Sequence, residues 1–261
     1  MAAAALSAAR PTAPSEASLL GRTSPLVKGT VAIVWLAGLA LSLDPRPPLV
    51  LALAAAAGGS VLGAIPLRRL VAWTAPLWLA ALGLATFNAL FAAANTDPAA
   101  AEAFRLGPLR ITGSALQAGL ALGLRVLAIA SISAVFVLTT SPTRLADTLV
   151  QQGSVPARFA YGALAAYQAV PRLADDLADL RAARRARGLR GGWHPRVLVG
   201  LLVLAIRHAD RLALAMDARA FGIGPRSRYR EVPFTWRDPL VLAMGLGVLL
   251  LGLLAGGTLG R

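Results

Sequence analysis

Two short copies of one pattern carry the residues best suited to bind a partner. The first consists of Ala186, Arg187 and Gly188, and the second consists of Ala218, Arg219 and Ala220. Each copy ends a stretch of helical character, so we call them the first tip and the second tip. A guanidinium offers a planar fork of N–H donors that suits a carboxylate or a backbone carbonyl. Because small neighbours leave that fork accessible, the pattern predicts two contacts to another protein.

An acidic set could instead support catalysis. Asp175, Asp176 and Asp179 have D-D-x-x-D spacing, and carboxylate oxygens on one helix face are suitable ligands for Mg²⁺. A magnesium-bound prenyl diphosphate would make the chain an intramembrane prenyltransferase. Such a metal cage generally needs a second acidic cluster, whereas Asp210 and Asp217 stand alone, seven residues apart. The enzyme is therefore the alternative hypothesis, and we predict no catalytic residue, metal or cofactor.

Few other residues can carry chemistry. The chain has no cysteine and two histidines, which excludes disulfides and thiolate sites and nearly excludes a histidine-based metal cluster. We interpret both histidines, His194 and His208, as structural. The only lysine, Lys28, precedes Gly29 and Thr30, so the G-K-[ST] element of a phosphate-binding loop is missing. The chain is therefore not expected to be an ATPase itself.

The composition predicts an all-α, polytopic membrane protein. Of its 261 residues, 57% are hydrophobic and 15% are charged, against about 25% charged in soluble proteins. The net charge is +14, and residues 141–237 hold 16 arginines against 7 acids. Cytoplasmic loops of membrane proteins concentrate arginine for topological reasons. We therefore predict the lipid bilayer as a partner and do not predict nucleic acid.

Apolar stretches predict about five membrane-spanning helices. They cover residues 27–43, 49–67, 74–94, 114–140 and 239–254. The resulting organisation is a disordered cytoplasmic tail (1–26), transmembrane helices 1 to 4 (27–140), a cytoplasmic helical region (141–238) and a C-terminal transmembrane helix (239–258). The arginine-rich region is placed inside by the positive-inside rule, which could also explain the arginines of both tips.

Within the cytoplasmic region, proline and charge order predict the helices that position the tips. A short helix begins at Ser141 and Pro142, and another helix begins after Pro156. A new helix, opened by Pro171, is expected to reach Arg187, because its acids come early and its bases late, opposing the helix dipole. The last helix of this region is expected over residues 195–221.

Two polar residues lie inside predicted spans. Arg125 must face a protein interior or reach toward water, because exposing its charge to lipid costs at least about 2.5 kcal/mol. We interpret it as holding helices together rather than contacting a partner subunit. Asn88 is interpreted as forming an interhelical hydrogen bond rather than binding a substrate.

Several short motifs together resemble the transmembrane T component of energy-coupling factor (ECF) transporters. They occupy residues 139–142 (TTSP), 155–156 (VP), 170–171 (VP), 185–188 (RARG) and 215–222 (AMDARAFG). In that family the two Ala-Arg-small motifs end coupling helices that sit in grooves of a dimer of ATP-binding-cassette ATPases. The resemblance therefore implies ATPase docking through both tips. Ala220 departs from the glycine or serine that is common in the family.

The resemblance further implies a role without catalysis. The T component links the ATPases to a small substrate-binding membrane subunit, the S component, which captures a vitamin or a metal ion such as cobalt or nickel. It implies location in the bacterial plasma membrane. The permease of a conventional ABC importer is a further alternative, but such permeases usually show an E-A-A loop followed by glycine, which is missing here.

Overall fold

A computed structural model describes residues 18–42, 44–96, 101–106, 109–189, 194–223 and 230–257. The helices in this part of the chain are α1 (Leu19–Arg22), α2 (Pro25–Leu41), α3 (Arg46–Val61), α4 (Leu67–Phe91), α5 (Gly113–Thr139), α6 (Pro142–Gln151), α7 (Ala157–Ala186), α8 (Pro195–Ala218) and α9 (Arg237–Ala255). The described residues form two compact units, one within Met1–Leu145 and Pro233–Arg261 and one within Ala146–Val232. The predicted all-α, polytopic class is confirmed.

The first unit contains the helices that are apolar enough for a bilayer. Within the described residues, α4, α5 and α9 are long enough to cross a membrane, and α2 and α3 are shorter apolar helices. Each predicted span therefore coincides with a helix. Helix α4 begins at Leu67 rather than at residue 74, so Arg68 and Arg69 belong to its first turn. The predicted tail 1–26 lies outside the described residues up to residue 17, and its last part is helical in α1 and α2.

An antiparallel hairpin, β1 (Glu102–Leu106) and β2 (Leu109–Thr112), lies between the third and fourth predicted spans, where no strand was predicted. Asn95 connects this hairpin to the membrane helices. Its side-chain amide donates to Ala89 O at 2.8 Å near the end of α4, and its Oδ1 accepts from Thr112 N at 2.9 Å. Thr112 in turn caps α5. One side chain thus satisfies backbone groups at two helix ends, which otherwise lack partners.

A core of α2, α3, α5 and α9 holds the first unit together. Its buried residues are Trp35, Leu39, Leu51, Ala55, Ala128, Ile132 and Leu249. The Trp35 indole donates to Gly245 O at 2.8 Å, which ties α2 to α9. Gly245 lacks a side chain at the point where Val31 approaches, so the two helices come close together there.

Charged side chains in this unit bind backbone groups at helix ends. Lys28 Nζ donates to Thr139 O at 2.8 Å, and the carboxylate of buried Asp238 accepts from Ser24 N at 2.7 Å. Arg125 donates to Ser42 O, the C-cap of α2, which confirms its predicted structural role. Asn88 was expected to bond between helices, but its amide donates to Leu84 O of its own helix, so that prediction is wrong. A helix in an apolar setting satisfies such a side chain locally at no cost in packing.

Helix α7 runs without a break through Pro171, so the predicted start of a new helix there is wrong. Pro171 removes only one backbone donor, and it lies on an exposed part of the helix, where the freed carbonyl can be solvated. The short helix α6, by contrast, begins at Pro142 as expected. Helix α8 begins at Pro195 as predicted, and the His194 side chain caps it by accepting from Arg196 N at 3.2 Å.

Helices α4 and α5 approach each other through small residues. A Cβ added at Gly119 would lie 2.5 Å from Ala85 O, and one at Gly123 would lie 2.9 Å from Ala81 O. Both contacts are with backbone, which cannot move as a flexible side chain does. The G-x-x-x-G spacing of these glycines therefore sets the distance between the two helices, as it does between other close-packed membrane helices.

We predict that Gly119→Ala destabilises the membrane unit, because the added methyl group forces α4 away from α5. The expected loss is about 1–3 kcal/mol, the usual cost of overpacking, and it is measured as a lower melting temperature of the purified protein in detergent. Gly83→Ala on α4 is the matched control, since a Cβ at Gly83 meets nothing within 4 Å. Equal melting temperatures for the two variants would contradict the close approach.

Candidate functional site

The first tip forms the end of α7. Arg187 is the C-cap residue of that helix, and Gly188 follows with φ of +72°. Gly188 N donates to Arg185 O at 3.0 Å, and Leu189 N donates to Arg184 O at 3.2 Å. These two bonds and the left-handed residue define a Schellman motif, which satisfies carbonyls that a helix end leaves unpaired.

The second tip repeats this geometry at the end of α8. Arg219 is the C-cap residue, and Ala220 follows with φ of +53°. Ala220 N donates to Asp217 O at 2.9 Å, and Phe221 N donates to Met216 O at 3.0 Å. The two tips are thus two copies of one backbone structure, with an exposed arginine at the same position in each.

The geometry explains the small third residue of each tip. That residue occupies the left-handed region, which glycine enters freely and which costs other residues roughly 1–2 kcal/mol. The small residues were predicted to give clearance for a partner, whereas the left-handed backbone at position 188 by itself already favours glycine. Ala220 adopts the same conformation with a side chain, so the second tip carries strain that the first does not.

Helices α7 and α8 run antiparallel. Leu180 on α7 lies beside Gly200 on α8, and further along the pair the rings of Tyr161 and Phe221 are 6.2 Å apart. The tips therefore lie at opposite ends of the pair. From Tyr161, which marks the second tip, to Arg187 the chain advances 26 helical residues, or roughly 40 Å at 1.5 Å per residue.

The acidic set does not form a metal cage. Asp175 and Asp179 are exposed on α7 and Asp176 is half-buried. Within the described ranges, no group of three or more His, Asp or Glu side chains is placed to hold a metal ion. Because α7 begins at Ala157, these acids lie in the middle of the helix rather than in its first turn, so the predicted match between their position and the helix dipole is wrong.

We predict that Ala220→Gly strengthens the second tip and Gly188→Ala weakens the first, each by about 1 kcal/mol, because only glycine adopts positive φ without strain. The measurement is hydrogen–deuterium exchange of the amides that close each cap, residues 220–221 and 188–189. Exchange should slow at the second tip of Ala220→Gly and accelerate at the first tip of Gly188→Ala. Unchanged or reversed rates would contradict the cap geometry.

Known proteins with similar sequences indicate the family of the chain. A family model described as cobalt transport protein (CbiQ) matches residues 18–229. An energy-coupling factor transporter transmembrane protein EcfT from Limosilactobacillus fermentum is 29% identical over 89% of this chain and 90% of its own length. An EcfT from Heliobacterium modesticaldum is 29% identical over 72% of this chain and 74% of its own length.

A relative of another kind is a putative ABC transporter ATP-binding protein from Bifidobacterium longum. It is 28% identical over 87% of this chain, which corresponds to only 30% of that larger protein. The family match covers the membrane helices α2 to α5 and both tips. The chain is therefore a multi-pass plasma membrane protein that belongs to the CbiQ family, the transmembrane components of energy-coupling factor transporters.

Proposed function

We propose that this chain is the non-catalytic coupling subunit of an ECF-type importer. Its two tips dock on a dimer of ABC ATPases, and its membrane helices bind a small S component that captures the cargo. Movement of the ATPases on ATP binding and hydrolysis is transmitted through α7 and α8. The observation that carries the proposal is the repetition of one arginine-capped helix end at opposite ends of an antiparallel pair.

The shape of the tips suits docking. Each Schellman turn ends the helix sharply, so the chain turns away and leaves the arginine exposed at the helix end. A guanidinium can donate two parallel hydrogen bonds to one carboxylate, a geometry that lysine cannot reproduce. Two tips with the same backbone geometry, about 40 Å apart, fit a partner that presents the same groove twice. An ATPase dimer has this property because its two copies offer equivalent surfaces.

The relatives support an ATPase partner. The Bifidobacterium longum relative is named as an ATP-binding protein, and this chain resembles only 30% of its length. A segment similar to the present chain is thus part of a larger polypeptide named for ATP binding. We infer that separate subunits supply ATP binding to the present chain, since its own sequence lacks the G-K-[ST] element.

The cargo is proposed to be a vitamin or a transition-metal ion such as cobalt. The family description names cobalt transport, and the relatives are named for energy coupling rather than for a substrate. This agrees with a division of labour in which the S component selects the cargo. The described part of the chain accordingly gathers no set of metal ligands of its own.

We predict that Arg187→Glu combined with Arg219→Glu abolishes co-purification with the ATPase pair, because both forks are lost and an acid replaces each. The measurement is affinity purification from membranes in which the chain and the ATPases are co-expressed. The matched control is Arg172→Glu with Arg211→Glu, which makes the same charge change at exposed positions on the same two helices, away from the tips. Undiminished co-purification of the tip variant would contradict docking.

Lysine variants separate docking from topology. If the arginines only kept their region in the cytoplasm, Arg187→Lys with Arg219→Lys would behave as the wild type, since lysine satisfies the positive-inside rule equally well. Docking requires the planar fork, so we expect the lysine variant to insert normally and to bind the ATPases at least about tenfold more weakly.

A further inference from the structure

We propose that Tyr161 and Asp147 are positioning residues that brace the second tip and leave the first tip unbraced, so that the two tips are mechanically unequal. This inference rests on the proposed docking function and adds a division of labour between the tips. The second tip transmits force directly into α6, whereas the first tip, at the other end of the helix pair, moves more easily under the same force.

The brace is a chain of three side chains. Phe221, which closes the second Schellman turn, packs edge-on against the ring of Tyr161 on α7 at a centroid distance of 6.2 Å and an interplanar angle of 74°. The Tyr161 hydroxyl donates to Asp147 Oδ1 on α6 at 2.8 Å. Asp147 is only 7% exposed, so its carboxylate is held in place and needs this donor.

The first tip has a different surrounding. The residue that corresponds to Phe221 is Leu189, whose side chain is 48% exposed. Among the residues that the structure describes, a Cβ added at Gly188 would meet nothing within 4 Å. At the position three residues before the C-cap, the second tip has Met216 and the first has Arg184, so only the second combines two apolar residues across its turn.

The brace also accounts for the strained Ala220. A non-glycine residue remains in the left-handed region only where its surroundings over-determine the conformation. At the second tip, Phe221 fixes the chain directly after Ala220 by packing on Tyr161. At the first tip, the corresponding Leu189 is 48% exposed within the described part of the chain, and the left-handed position is occupied by glycine. The difference between the two tip sequences thus follows from the difference in support.

Spin labelling tests the brace, and the cysteine-free chain suits it. Ala183→Cys and Ala215→Cys place a nitroxide on an exposed residue four positions before each arginine. In the full chain reconstituted in phospholipid nanodiscs, we expect the label at 215 to be the less mobile one. Tyr161→Phe removes the hydroxyl and keeps the ring, and it should raise the mobile fraction at 215 by about tenfold, as for the loss of one hydrogen bond to a charged group.

The controls make the outcome specific. The label at 183 should not respond to Tyr161→Phe, and neither label should respond to Tyr167→Phe, which alters an exposed tyrosine on the same helix. Asp147→Asn keeps an acceptor for the Tyr161 hydroxyl and should retain most of the immobility at 215. Equal mobility of both labels in the wild type, or no response of the label at 215, would overturn the brace.

A transport assay separates this inference from the docking proposal. With both arginines intact, the Tyr161→Phe chain should still co-purify with the ATPases but move less cargo for each ATP hydrolysed. Unchanged cargo per ATP would overturn the proposed division of labour. If the wild-type chain itself failed to bind ATPases, docking would be wrong, and the nitroxide spectra would still decide whether the brace exists.

Discussion

The way a helix ends is the constraint on which the candidate site depends. A Schellman turn needs a residue with positive φ directly after the C-cap. In this chain that requirement accounts for Gly188 and for the strained Ala220, and it places an arginine at the last position before the chain turns away. The arginine is therefore presented by backbone geometry, not by a flexible loop. A contact made in this way costs little additional ordering when a partner binds.

Unpaired backbone groups at helix ends also constrain the membrane unit. Inside a bilayer, charged side chains and unpaired backbone groups are both expensive. Lys28 and Arg125 reduce both costs at once, because each side chain donates to a backbone carbonyl at a helix end. At the starts of helices, Asn95 and Asp238 accept hydrogen bonds from backbone N–H groups that the helix itself leaves unpaired. These bonds fix the bundle at points where apolar packing alone would allow the helices to slide.

Most helices could be predicted from the sequence, because their positions depend on neighbouring residues. Each of the five apolar stretches coincides with a helix, and the proline of α8 marks its start as expected. Both Ala-Arg-small motifs were predicted to end helices, and both do. The course of α7 through Pro171 was missed, since a proline signals a helix start more often than it is tolerated inside an exposed helix.

The parts that escaped prediction depend on contacts between distant residues. Residues 147, 161 and 221 belong to three different segments, and no periodicity in the sequence relates them. The antiparallel packing that separates the tips is likewise a property of the folded pair of helices. The hairpin was missed because its short strands carry charges, including the ion pair of Glu102 with Arg110, and resemble an ordinary loop.

We propose that the two tips engage two different copies of an ATPase. The most direct test introduces Ala186→Cys and Ala218→Cys, singly and together, into the otherwise cysteine-free chain. Each assembled complex is then treated with a cysteine-to-amine cross-linker, and the masses of the cross-linked products are measured. We predict one attached ATPase for each single variant and two for the double variant. A double variant that attaches only one ATPase, or none, would contradict the account.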